Sequence, residues 1–330
     1  MNILVTGGTG YIGKYFIPEL LRQGHRVRLL VRNLEKARKL FANSCDYFVG
    51  DVTEKKTLCG CCKNIDIVFH MVAKVGNELP NNKNFTIFYK VNVEGTKNLI
   101  EESKKGNIQK FIFVSSIAAM GIVKEIPINE KSLCRPYLPY QVTKFEAEKV
   151  IKKEYKENNF PAICVRPTKV YGVGEHEYSY LTYAKLCKKH IFFKIGKGKN
   201  YLSNIYILDF VQALIKLVDK GIIGETYILS SEDSIAFAEM GKLIADVLNK
   251  KIWIIPVPSF LMIILADIEE KIFLRIGKKP IVTKKNIEAI VTDRIYDIKK
   301  AKKDINYEPQ FKMEDGIKKT IQWYIDKKII

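Results

Sequence analysis

Histidine is scarce in this 330-residue chain, with His25, His70, His176 and His190 the full set, and tryptophan occurs only twice. The first shortage bears on the seven cysteines, three of which crowd into "CGCC" at 59–62. No histidine lies near them and no second Cys pair supplies the other half of a tetrahedral site, so no metal is expected and the thiols read as reduced packing residues. Long apolar runs are missing too. The longest, "SFLMIILA" at 259–266, is too short to span a bilayer. The opening "MNILVTGG" enters a strand-like pattern without a basic, apolar leader, so a soluble cytoplasmic protein is expected. Arginine is rare in the second half, where 29 of 32 basic residues are lysine. The formal charge of +19 divides into +9 over residues 1–150 and +10 over 151–330, with no basic arm. A dispersed lysine surface is not a phosphate-reading face, so no nucleic-acid partner is expected.

Short β-branched runs are plentiful: "NILVT" (2–6), "RVRLLV" (26–31), "DYFVG" (46–50), "IDIVFH" (65–70), "KFIFVS" (110–115) and "AICVR" (162–166). Longer helical patterns separate them. Continuous apolar runs of this length suit strands buried on both faces, with helices as right-handed crossovers. The expectation is an α/β fold, a doubly wound parallel sheet. Past residue 168 the rhythm gives way to aromatic-rich and lysine-rich stretches, then helices near 237–250, 258–276 and 313–327, which suits a smaller second lobe. Ligands of such sheets sit at the carboxyl ends of the strands.

The first strand runs into "TGGTGYIGKYFIPELLRQGH", with Gly7, Gly10 and Gly13 at GxxGxxG spacing before a helix. Glycine serves the tight turn, the approach of backbone to a pyrophosphate and the packing of helix on strand. Pro18 falls inside that helix and should cost a hydrogen bond or kink it. At the end of the second strand, where an acid would hold the ribose of NAD, the chain has Arg32 and Asn33, with Lys36 and Arg38 following. Arg32 can pair with a 2′-phosphate, so NADP is favoured over NAD. After the third strand, Asp51 and Val52 are placed to meet the adenine.

Near the start of a later helix "YLPYQVTK" sets Tyr140 and Lys144 four apart, on one helix face. With "TGGTGYIG", "GDVT" (50–53), "VFHMVAKV" (68–75), "VNVEGTKNL" (91–99), "FVSSIAAMG" (113–121), "VRPTKVYG" (165–172) and "DRIYDIKKAKKDINYEP" (293–309), the chain resembles the extended short-chain dehydrogenase/reductase family. The motifs run in family order from residue 3 to about 309. The resemblance implies a Rossmann-type dinucleotide-binding domain over 1–167, with 204–230 returning to it. Residues 168–203 and 231–330 would form the C-terminal substrate lobe. It implies a catalytic group of Ser116, Tyr140 and Lys144, with Ser115 the adjacent alternative for the serine. It also implies cofactor contacts from Tyr11, Ile12, Met71, Val72, Ala73, Asn92 and Pro167. A neighbouring ammonium favours the phenolate of Tyr140, lowering it from ~10 toward the working pH of an acid/base. Tyr137 has Gln141 at the lysine position and drops out. His70 reads as structural and hydrogen-bonded. Met71-Val72-Ala73 replaces the family's usual pair of alanines.

Two branches of the family remain open. Sugar-nucleotide epimerases and dehydratases commonly carry Arg-Asp just before the strand corresponding to "NIYILD" (204–209), where this chain has Leu202 and Ser203. Instead "LLVRNLEKARKL", "SSIAAMG", "VRPTKVYG" and "WIIPVPSFLMIILADIEEKIF" are similar to the branch of dihydroflavonol reductases and 3β-hydroxysteroid dehydrogenases. That favours hydride transfer on a mainly apolar small molecule, over an epimerase or dehydratase and over a dinucleotide-binding regulator without turnover. The apolar helix after "PVP" reads first as a core helix, and otherwise as a pocket wall or a membrane-surface element. Asp267, Glu269 and Glu270 argue against its deep membrane burial. The resemblance also implies a homodimer through helices near 85–105 and 140–158.

Overall fold

The computed structural model describes residues 1–76, 78–175, 178–196, 200–276 and 284–330; His176 lies outside the described residues. Its centre is a seven-stranded parallel sheet. Six strands correspond to the apolar runs: β1 (Asn2–Thr6), β2 (Arg26–Val31), β3 (Asp46–Val49), β4 (Ile67–His70), β5 (Lys110–Val114) and β6 (Ala162–Pro167). The seventh, Thr226–Leu229, pairs with β6 at one edge, and the order from there is β6, β5, β4, β1, β2, β3. Every residue of β4 and β6 is buried, as strands covered on both faces require.

Helices α1 (Tyr11–Arg22), α2 (Leu34–Phe41), α3 (Asn82–Tyr89), α4 (Gly95–Lys105) and α5 (Pro139–Asn158) supply crossovers and cover. Beneath one face Phe16, Ile17 and Leu20 of α1 pack with Ile3, Val5, Phe69 and the helix Ile207–Lys220. Beneath the other, Leu99 and Ile100 of α4 and Ala147 and Ile151 of α5 pack with Leu4, Val68 and Phe111. Cys61 and Cys62 are fully buried in this second cluster as free thiols, while Cys59 is exposed.

Beyond the sheet, paired short strands join Ile191–Ile195 to Trp253–Val257 and Tyr201–Leu202 to Ile235–Ala236. The helices Phe237–Val247 and Met313–Asp326 pack there on one another. Two expectations need correction. The "NIYILD" segment is a strand only at Ile205–Tyr206, and from Ile207 its apolar residues follow a helical period. The helix Ser259–Arg275 is not a core helix, since Phe260, Ile264, Leu265, Ile268 and Ile272 face solvent. No described helix is long and apolar enough to cross a membrane.

The β1–α1 turn sets the geometry of the sheet's carboxyl edge. Gly7 has φ +75°, and a Cβ there would lie 2.8 Å from the Val72 nitrogen. A Cβ on Gly13 would lie 1.9 Å from the Gly8 oxygen, so the helix rests directly on the loop's backbone. Pro18 sits on the solvent side of α1, where its missing N–H does not end the helix. Gly13→Ala must push α1 off the loop. It is expected to lower stability by about 1–3 kcal/mol in urea unfolding, and to weaken dinucleotide binding in the folded fraction.

Candidate active site

Helix α1 begins at Tyr11, and its N-cap Gly10 offers no side-chain cap; the Gly10 nitrogen donates instead to the Gly7 oxygen at 3.0 Å. The first turn, with the amides of Tyr11, Ile12 and Gly13, is thus built as an anion-receiving helix end. At the end of β2, Asn33 caps α2 by accepting from the Lys36 nitrogen at 2.8 Å. Arg32 stands exposed, its Nη1 3.5 Å from Asp51 Oδ2. Asp51 Oδ1 accepts from the Thr53 nitrogen and hydroxyl at 2.9 and 3.0 Å. Partial burial pushes the Asp51 carboxyl up, but the bonds from Thr53 and the Arg32 charge outweigh it and leave the group below its ordinary value. Arg32 and Asp51, expected to meet separate parts of a dinucleotide, therefore also pair with each other. Val52 is buried behind them against Gly95, and its carbonyl accepts from Asn98.

A hydrogen-bond chain that the sequence motifs do not announce crosses the sheet from β1 to α4. The Thr96 hydroxyl donates to the Asn92 carbonyl at 2.7 Å, so it accepts from His70 Nε2–H at 2.9 Å. His70 Nδ1 then accepts from the Thr6 hydroxyl at 2.8 Å, and Thr6 Oγ1 accepts the amides of Met71 and Val72. Full burial, then the nearby Lys144 charge, drive the imidazole down to about 3, so it is a neutral bridge. Met71, Val72 and Ala73 are each half-buried past the strand end.

Asn92 lies in a single π-turn, Lys90–Glu94, between α3 and α4, a distortion that tends to mark working positions. Its side chain is buried and fully engaged. Oδ1 accepts the Lys74 amide at 2.8 Å, while Nδ2 donates to the Lys74 carbonyl and to Thr143 Oγ1, both at 3.0 Å. Thr143 donates to the Pro139 carbonyl inside α5. Asn92 thus ties the loop after β4 to the first turn of the helix that carries Tyr140.

Tyr140 is the second residue of α5 and half-buried, its ring 6.5 Å from that of Phe88. Gln141 accepts the amides of Tyr137 and Leu138 and fixes the helix entry, while Tyr137 itself is exposed. One turn on, Lys144 is buried. Its ammonium donates to the Val114 carbonyl at 2.7 Å and lies 4.4 Å from the Phe113 ring centre. Burial lowers it to about 8, against the opposing pull of Cys164 and Glu148. Ser116, just past β5, caps the turn Ile117–Met120 by accepting the Ala118 amide at 3.1 Å, and that turn packs on α5. Ser115 is committed elsewhere, donating to Glu148 Oε1 at 2.5 Å. Glu148 is held by Arg166, with Nη2 to Oε2 at 2.6 Å and Nε to Oε1 at 3.0 Å. Pro167 follows at the end of β6.

The "NAD dependent epimerase/dehydratase family" model matches residues 3–230. Among curated proteins the chain is similar to a 3-beta-hydroxysteroid dehydrogenase of Mycolicibacterium neoaurum, 25% identical over 98% of this chain and 92% of that one. It is 26% identical to the sterol-4-alpha-carboxylate 3-dehydrogenase, decarboxylating, of Bos taurus, over 96% and 91%. Among solved structures it is similar to gox2253, with TM-score 0.80, 25% identity and 98% of each chain covered. The UDP-glucose 4-epimerase of Thermotoga maritima shares the fold, with TM-score 0.77 at 21% identity over 99% of each chain. With its ordered motifs and a family match over most of its length, the chain belongs to the NAD-dependent epimerase/dehydratase family, in the extended short-chain dehydrogenase/reductase branch.

Proposed function

We propose that the protein is an NAD(P)-dependent dehydrogenase/reductase of a mainly apolar small molecule, with Tyr140 as acid/base, Lys144 as its electrostatic partner and Ser116 as a donor to the reacting oxygen. What supports this reading is that Ser116 opens a turn packed on α5, the helix that carries both Tyr140 and Lys144, at the carboxyl edge of the sheet that also holds an uncapped helix end lined by glycine. The residues fit a dinucleotide. Gly7 and Gly13 leave no space for a Cβ, and the first turn of α1 presents its amides. Gly7, Gly10, Tyr11, Ile12 and Gly13 would hold the pyrophosphate, and Arg32, Asp51 and Val52 the adenosine. Met71, Val72, Ala73, Asn92 and Pro167 would border the nicotinamide, with Tyr140 and Lys144 at its ribose. When bound, the nicotinamide supplies or accepts the hydride.

The chain's own groups handle the proton. Ser116 Oγ accepts from Ala118, which leaves its hydroxyl proton for the substrate oxygen. Lys144 is below its ordinary value yet cationic at neutral pH, and its charge favours the Tyr140 phenolate. Tyr140 can then take a proton from a carbinol or return it to a carbonyl. An apolar substrate is supported by the names of the two curated relatives above. It is supported too by Leu202 and Ser203, which put no arginine where a nucleotide diphosphate would need one. In this reading 168–203 and 231–330 form the substrate lobe, 1–167 with 204–230 the cofactor domain, and the protein is a cytoplasmic homodimer.

Tyr140→Phe is expected to lower turnover by about 10²–10⁴-fold in a nicotinamide absorbance assay, with dinucleotide affinity nearly unchanged; an equally active variant would sink the mechanism. Within this reading NADP is preferred because Arg32 is exposed at the β2 end. Fluorescence titration should find NADPH tighter than NADH and Arg32→Glu reversing the order, and a wild-type preference for NADH would remove the assignment. Lys144 adds a stability test. It titrates near 8 when folded and 10.5 when unfolded, so below pH 8 folding must bury a cation, a cost on the order of 3 kcal/mol at most that fades as pH rises through that window. Lys144→Met should therefore melt higher than wild type at pH 7, with the gap closing toward pH 10, while losing turnover.

A further inference from the structure

The helix Ser259–Arg275 turns its apolar side chains outward. Phe260, Leu261, Ile264, Leu265, Ile268 and Ile272 are each 41–65% exposed, and at about 100° per residue they fall in one arc of about 140°. The only charged side chains inside that arc are Lys271 and Arg275, both exposed. Asp267, Glu269 and Glu270 lie outside it, and Asp267 at its border is paired with Lys271 at 2.7 Å. The acids thus leave the apolar face continuous. Trp253, on the strand that leads into the helix, is 79% exposed.

We propose that this helix face is a docking surface for an anionic lipid bilayer, on which the protein lies peripherally. The choice of occupant rests on charge. The arc holds the cations Lys271 and Arg275 and no acid, in a chain whose formal charge is +19. A second copy placed on the same face would set Lys271 and Arg275 against further cations with no acid inside the arc to pair them, which like-charge repulsion opposes. An anionic headgroup layer accepts the lysines, and the acyl boundary beneath takes a wide aliphatic arc without requiring a shaped groove. Phe260 within the arc and the exposed Trp253 on the strand before the helix suit the headgroup level. The surface is independent of the catalytic reading, although a mainly apolar substrate partitions into the same bilayer.

The test uses the full chain and two kinds of vesicle, phosphatidylcholine alone and phosphatidylcholine mixed with phosphatidylglycerol. Cosedimentation with the mixed vesicles should exceed that with neutral ones by about tenfold or more at low salt and weaken as salt is added. Ile264→Glu with Ile268→Glu should abolish it while NAD(P)H binding persists, which shows the variant folded. In a Trp323→Phe background Trp253 is the sole tryptophan, and its emission should move to shorter wavelength on the mixed vesicles alone. A wild type that stays in the supernatant, a double variant that sediments equally, or an unmoved Trp253 emission would overturn the proposal. So would a dimer that the double variant dissolves, which would make a second copy the occupant. Loss of catalysis in Tyr140→Phe bears on none of these outcomes, so the two readings fail separately.

Discussion

A lysine ammonium held in the dry end of a parallel sheet is the constraint around which the rest is arranged. Lys144 keeps its charge there by donating to the Val114 carbonyl and facing the Phe113 ring. Nearby, Glu148 is gripped by Arg166 and accepts from Ser115. Such a buried pair is weak as net stabilisation, but breaking it would strand a charge, so it fixes geometry. Each member sits next to a proposed working residue: Ser115 beside Ser116, Arg166 beside Pro167, and Glu148 one turn beyond Lys144. The cluster locks the ends of β5 and β6 to α5, and with them the distances among the groups that would meet substrate.

On the other side of β4 a neutral network does the same for the cofactor edge. Thr6 leaves β1 just before Gly7, and its hydroxyl holds the amides of Met71 and Val72, on which the absent Gly7 Cβ would collide. His70 and Thr96 carry the linkage to Asn92, and Asn92 carries it to Thr143 of α5. Glycine loop, post-β4 loop and helix α5 are thus one hydrogen-bonded body. A protonated His70 would lose its acceptor role toward Thr6, which is why a fully buried and neutral imidazole is needed there.

The parts legible in sequence are those with a local period or a fixed spacing. Strands β1 to β6 announce themselves as apolar runs, the β1–α1 turn by its glycines, and the shared helix face of Tyr140 and Lys144, though not its chemistry, by the four-residue step. The network threonines carry no such signature. Thr6 meets His70 across 64 residues and Asn92 meets Thr143 across 51, so only the fold brings them together. His70 was legible as a bonded residue but its two partners were not. The edge strand Thr226–Leu229 is four residues long, and "NIYILD" looked extended because its apolar residues cluster before the helical period of Ile207–Lys220 becomes visible. Arg32 and Asp51 were each placed at a strand end correctly, yet their mutual pairing depends on β2 and β3 being neighbours.

The helix Ser259–Arg275 shows a different limit. An apolar stripe states that one face avoids water, but not what shields it. In α1 the answer is the sheet, because a strand precedes and follows within crossover distance. Here the helix follows a short two-stranded ladder, and its stripe turns away from the chain. The protein therefore departs twice from the usual partition, with charges inside at Lys144, Glu148 and Arg166 and aliphatic side chains outside along this helix. Departures from local rules concentrate where function is being served. The interior charges have identified partners at the proposed chemical site. The exterior stripe has basic neighbours and no partner within the described chain, which is the condition under which an external apolar phase becomes its natural complement.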